Sequence, residues 1–222
     1  MLNYKILSMS IKNVSGWIPA IIATLSALAI IFAIGIIKLS TSPDYPFRIQ
    51  RDNMELMYEG ARADLVQSID SVIHTVAPTT CMNGLAVLRE CEKYNIDIFF
   101  VLAQGHLESH FGTKGMALKT NSVFNVYAYD GHSYEKINSK GKYSHPDLSI
   151  EPYLKLLSQR YLVDGKTETD LMHSYVDVNG QRYASSKDYE NNLTEKYHRY
   201  VSDENLMNNY KRYAKYKILS GK

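Results

Sequence analysis

Between Val101 and Gly112 the chain reads VLAQGHLESHFG, and the residue best equipped for chemistry is Glu108. A carboxyl group near the carboxyl end of an apolar helix is disfavoured as an anion twice, by loss of water and by the negative end of the helix dipole. Both effects raise its pKa. A proton retained near neutral pH is what a general acid needs. The same position equally suits a helix-end glutamate that faces solvent or pairs with Lys114 or Lys119. The residues alone leave both readings open. His106 and His110 flank the acid and suggest zinc chemistry. Yet in the zinc-protease motif the glutamate directly follows the first histidine, whereas the order here is His106-Leu107-Glu108-Ser109-His110. On a helix Glu108 lies about 200° round from either histidine, turned away from any ion the pair could hold. No Cys-x-x-Cys pair exists, so structural zinc has no support, and no residue pattern implies a metal or an organic cofactor.

The element that must carry Glu108 is a helix. Ile98, Phe99, Leu102 and Leu107 have the spacing of a largely buried one, and Gly112 supplies a stop. Upstream, Leu65, Val66, Ile69, Val72 and Ile73 form one helical stretch and Leu85, Ala86 and Leu88 another. The break between them is APTT, with Thr79 or Thr80 as a possible cap. Cys81 and Cys91 are ten residues apart; on one helix their Cα atoms would lie about 15 Å apart, beyond the roughly 7 Å of a disulfide, so buried free thiols are expected. Eighteen tyrosines against six phenylalanines suit either a wet ligand such as a sugar or the rim of a core.

Charge excludes one class of partner. Of 25 basic and 23 acidic side chains, Lys5, Lys12 and Lys38 and no acid fall in residues 1–39, which leaves a nearly neutral body. The tail from Asn208 onward holds five basic residues and no acid, read as a solvated helix face or a contact for anionic polymer or lipid. Nucleic acid is not an expected partner. From Ile18 to Ile37 there are 20 residues without a charge, and a helix of that length spans a hydrocarbon core of roughly 30 Å. The organisation expected is a cytoplasmic segment (1–16), a single transmembrane signal anchor (17–39), a Pro-containing linker (40–62) and an extracytoplasmic, mostly helical domain (63–222). A signal peptide usually has a shorter apolar core of about 7 to 15 residues.

Val101–Gly131 resembles the core motif of the bacterial and phage peptidoglycan endo-β-N-acetylglucosaminidases, the family of the flagellar rod-associated hydrolases and many autolysins. The residues that carry the resemblance are Ala103, Gln104, Leu107, Glu108, Ser109 and Gly112, then Asn121, Phe124, Asn125 and Val126. Ser149, Ile150 and Tyr153 follow in register, and Tyr183, Ala184, Ser185 and Tyr189 match a Y-A-[ST]-x-x-x-Y motif. The resemblance implies a mainly α (α+β), lysozyme-like domain with a small β-hairpin, here Val126 to Tyr143, beside a saccharide groove. It implies Glu108 as the catalytic acid, Tyr183 as an active-site tyrosine, and Asn121, Phe124 and Tyr189 as substrate-binding residues. Glycoside hydrolysis normally takes a second carboxylate. The hairpin offers Glu135, preferred, and Asp130, with Asp147 and Glu151 just beyond; Glu151 is expected to face solvent at a helix start. A substrate acetamido group could replace the second acid. The expected substrate is the glycan strand of peptidoglycan. The fold would equally serve a muramidase, a lytic transglycosylase or a wall-binding protein without catalysis.

Overall fold

The computed structural model describes residues 29–33, 36, 45–126 and 139–222. The chain divides into two units, Met1–Met54 and Glu55–Lys222. Helix α1 (Tyr45–Val76) starts inside the segment expected to be a linker. Pro46 does not prevent this, because the first turn of a helix has no use for its missing N–H. From Tyr58 its buried residues recur as Ala61, Leu65, Ile69 and Ile73, one stripe at helical spacing. Among the described residues no helix is long and apolar enough to cross a membrane, and most of the segment 17–39 lies outside them.

Helix α2 (Gly84–Tyr94) is capped by Asn83, whose side chain accepts from the Ala86 N–H at 2.9 Å. The cap is therefore neither Thr79 nor Thr80. The Thr80 hydroxyl is drawn away by a buried acceptor, the Phe111 carbonyl at 2.5 Å. Gly84 lets α2 approach α1, since a Cβ there would stand 2.7 Å from the Val66 carbonyl oxygen. Cys91 is a buried free thiol, whereas Cys81 precedes α2 and is exposed.

Helix α3 (Ile98–Ser109) is buried on every side from Ile98 to His106 and forms the centre of the core. Short helix α4 (Ala117–Thr120) follows it, then 3₁₀ turns at Ser139–Gly141 and Pro146–Ser149. Helix α5 (Ile150–Leu156) passes into a π turn, Leu157–Tyr161. Helices α6 (Glu168–His173), α7 (Tyr189–Val201) and α8 (Glu204–Ser220) complete the domain, with α7 packed extensively on α3. The β pairing among the described residues is one isolated antiparallel bridge, Val176 with Arg182. The expected hairpin falls mostly on residues 127–138, outside the described residues. The observed architecture is thus mainly helical.

Candidate active site

Glu108 lies in the last turn of α3, half-buried, and the turn that follows sets its exposure. His110, Phe111 and Gly112 take φ of 47°, 53° and 86° in succession. Two consecutive left-handed residues other than glycine are costly and persist only where packing dictates them. Here the packing comes from Phe111, wholly buried, whose N–H returns to the Gly105 carbonyl at 2.9 Å. A Cβ on Gly105 would stand 3.2 Å from the Phe111 ring, so a side chain there would crowd it. The helix therefore ends at His110, ahead of the expected stop at Gly112. Ser109 completes the turn, donating to the Val123 carbonyl at 2.7 Å and accepting from the Gly112 N–H at 2.8 Å.

Among the described residues three side chains hold the carboxyl group. The Tyr189 hydroxyl donates to Oε1, Gln104 Nε2 reaches the same oxygen at 3.4 Å, and Asn125 Nδ2 donates to Oε2 at 3.3 Å. Asn125, at φ 50°, also donates to the Glu108 backbone carbonyl at 3.0 Å, and Gln104 Nε2 donates to the Tyr189 hydroxyl oxygen. Burial first, and the Glu108 charge second, push the Tyr189 hydroxyl well above the usual tyrosine range. Tyr189 therefore keeps its proton at neutral pH. A hydroxyl can donate to a carboxylate and accept from a carboxylic acid, so Tyr189 can serve Glu108 in either state.

The other sequence candidates fall in different places. Tyr183 is partly exposed; its hydroxyl donates to the Phe124 carbonyl at 3.1 Å and its ring stacks on Tyr175 at 4.5 Å. Burial, then the Glu108 charge, hold it well above the usual range too. Phe124 has no exposed surface and stacks on Tyr153 at 4.0 Å, so its side chain is core beneath the site, with no face left for a saccharide. Asn121 caps α4 at φ 53° and donates to the Tyr143 carbonyl at 2.9 Å, a brace between two loops. Tyr189 is itself buried, in reach of the acid. Much of the tyrosine surplus is therefore core: Tyr153, Tyr161, Tyr175 and Tyr189 are buried. Gln104 and Asn125 stand in the motifs, but nothing in the motifs pairs them with Glu108. The i to i+4 spacing of Gln104 and Glu108 is the one visible signal of such a pairing.

Asp130 and Glu135 lie outside the described residues. Asp147 accepts from the Asn83 N–H at 3.0 Å, tying its loop to the start of α2. Glu151 is exposed in the first turn of α5 and pairs with Lys93 at 2.5 Å, as its helix-start position suggested. His106 is buried, its Nδ1 2.9 Å from the Tyr200 hydroxyl, and burial aided by His110 lowers its pKa to about 4. It is neutral at physiological pH. Among the described residues no three His, Cys, Asp or Glu side chains are grouped to hold a metal ion.

A mainly helical domain with a half-exposed carboxyl group ending its central helix has the character of the lysozyme-like glycoside hydrolases. Comparison with family models gives the family: residues 85–202 match the glucosaminidase model, described as mannosyl-glycoprotein endo-β-N-acetylglucosaminidase. The match covers 118 of the 222 residues, more than half, and the chain belongs to this family and is a glycoside hydrolase. It runs from α2 to the end of α7 and takes in Glu108, Tyr183 and Tyr189. No curated protein and no solved structure matches the chain.

Proposed function

We propose that the chain is a membrane-anchored peptidoglycan hydrolase that cuts the glycan strand at the β-1,4 bond after N-acetylglucosamine, with Glu108 as general acid. The observation that supports this most is the setting of Glu108: it is half-exposed at the end of the central helix, inside the glucosaminidase match, and gripped at both oxygens by neutral donors. Glu108 gives its proton to the glycosidic oxygen as the bond to the anomeric carbon breaks, so that the leaving sugar departs as a neutral alcohol. Tyr189, Gln104 and Asn125 orient the carboxyl group. They also steady the carboxylate left behind. Glu135 or Asp130 supplies a base for the attacking water, or the substrate acetamido group assists. Residues 17–39 anchor the chain in the cytoplasmic membrane, and the domain works outside it, in the periplasm or wall.

The test uses the full chain in detergent, wild type and Glu108→Gln, on purified peptidoglycan, with borohydride reduction and mass analysis of the fragments. Reducing-end N-acetylglucosamine that disappears in the variant is the expected result. Reducing-end or anhydro N-acetylmuramic acid would replace the assigned bond with that of a muramidase or lytic transglycosylase. Wall binding without new ends would reject catalysis. Retention in membranes after extraction at high pH checks the anchor separately.

A further inference from the structure

One end of the catalytic domain carries apolar side chains that no core absorbs. On α8 Ile218 and Leu219 are 79% and 53% exposed, and on α1 Leu56 and Met57 are 74% and 49% exposed. Both pairs lie beside one α1–α8 contact. Glu55 bridges to Lys222 at 2.6 Å, and the rings of Tyr58 and Tyr213 meet at 5.8 Å. The same stretch of α8 is basic. Arg212 is matched by Asp64 at 2.6 Å and Lys222 by Glu55, while Lys211 and Lys215 stay exposed; α1 also carries the exposed acid Glu59.

We infer that this α1–α8 end docks on the surface of an anionic lipid bilayer, an inference that rests on the anchored reading of residues 17–39. Isolated exposed apolar residues are ordinary, but two pairs beside a lysine-rich helix face are the composition of a membrane-interface surface. Lysines reach lipid phosphates while Ile218 and Leu219 enter the headgroup boundary. A glycan or an anionic wall polymer would have use for the lysines and none for the apolar pairs. Chain order agrees: Leu56 follows the uncharged run ending at Ile37 by 19 residues, so an anchored chain keeps this end within reach of the bilayer.

The docked orientation has a consequence for the site. A cavity of about 280 Å³ is lined by Lys217 and Tyr213 of α8 together with Asp97 and Ile98, which places this half of α8 beside the start of α3. Glu108 lies at the other end of α3, ten residues and about 15 Å further along. A domain standing on its α1–α8 end turns Glu108 away from the lipid and toward the wall. Tethered cutting then acts at a fixed height above the membrane.

The test places the full chain in vesicles of phosphatidylcholine, alone or mixed with phosphatidylglycerol. In a Cys81→Ser background, Ile218→Cys or Leu118→Cys carries an environment-sensitive fluorophore; Leu118 is 66% exposed on α4, downstream of Glu108. In the anionic vesicles the label at 218 is expected to shift to the blue and lose aqueous quenching several-fold, while the label at 118 keeps its aqueous spectrum. Adding Leu219→Asp, an exposed substitution that leaves the core intact, is expected to reverse the shift. A water-exposed label at 218, or equal shifts at both positions, would overturn the inference. Extraction at high pH reads the anchor independently, so an anchored protein with 218 in water removes the docking alone.

Discussion

The two ends of α3 hold the same chemical pair in opposite circumstances. At its start Asp97 takes the Tyr197 hydroxyl at 2.9 Å; at its finish Glu108 takes the Tyr189 hydroxyl, and both tyrosines belong to α7. Asp97 caps the helix, accepting from the Phe99 N–H at 2.9 Å, where the helix dipole favours its charge. Glu108 sits where the dipole opposes its charge, and among the described residues its carboxyl oxygens take side-chain donors, a hydroxyl among them. Backbone donors are fixed and can only favour the anion, whereas a hydroxyl can reverse its role. The difference separates a carboxylate that builds the helix from a carboxyl group free to pass a proton.

The severest way to break this contrast is Glu108→Gln, which keeps the shape and removes the proton. General acid catalysis contributes roughly 10²- to 10⁴-fold, so turnover is expected to fall by that factor with thermal stability little changed. A variant that retained wild-type turnover would erase the distinction between the two ends.

Next in size is the pH dependence at the catalytic end. His106, one turn before His110, has its pKa lowered from 6.5 to about 4, chiefly by burial, although a helix carboxyl end should welcome its charge. Between those values the unfolded chain binds the proton that the folded chain refuses. The stabilisation is complete above pH 6.5 and is lost as pH falls toward 4. The gap is equivalent to about 3 kcal/mol. Thermal melts of wild type and His106→Gln across that range should show a steeper acid loss in wild type; parallel curves would show that His106 is protonated in the fold.

How much of this end was legible in the sequence follows from the physics of each residue. The helical period placed Ile98 to Leu107 on one buried helix and Glu108 at its end, because burial of apolar side chains is a local pattern. The helix stops two residues before Gly112, at a His110 cap. His110 and Phe111 adopt left-handed backbone only because Phe111 is pulled into the core, a force from residues far away in sequence. The motif alone points Phe124 and Asn121 to the groove. Burial of one and a carbonyl contact of the other are tertiary facts that no spacing reveals. The two apolar helical stretches upstream stand as α1 and α2, yet their cap moved to Asn83, since Thr80 had a buried carbonyl to satisfy.

A smaller effect separates the two tyrosines. Tyr189→Phe removes a hydrogen bond to a charged group, worth about 1.5–3 kcal/mol, and should lower kcat roughly ten- to a hundredfold while KM holds. Tyr197→Phe loses a comparable bond to Asp97 but should appear in the melting temperature and leave kcat unaltered. Steady-state kinetics beside calorimetry distinguishes them. Equal kinetic losses in both would mean that α7 acts on the site through its packing as a whole.

The mildest change is the same chemical swap made at the structural end, Asp97→Asn. Asparagine caps a helix as well as aspartate does: its side-chain oxygen still accepts from the Phe99 N–H, and the amide NH2 that replaces the second oxygen can donate to the Tyr197 hydroxyl, which turns to accept. Burial, with the nearby charge of Glu168, raises the Asp97 pKa despite the cap. The folded chain therefore holds this proton more tightly than the unfolded one, and the ionised group weighs against folding once pH rises above the unfolded value. Removing the charge should leave stability at neutral pH equal or slightly higher, by less than about 1 kcal/mol, with activity intact. An acid-to-amide exchange that silences one end of α3 and passes almost unnoticed at the other would locate the chemistry in the environment of the carboxyl group, its identity being the same at both. A large loss of stability in Asp97→Asn would instead show that the anion itself holds the start of α3.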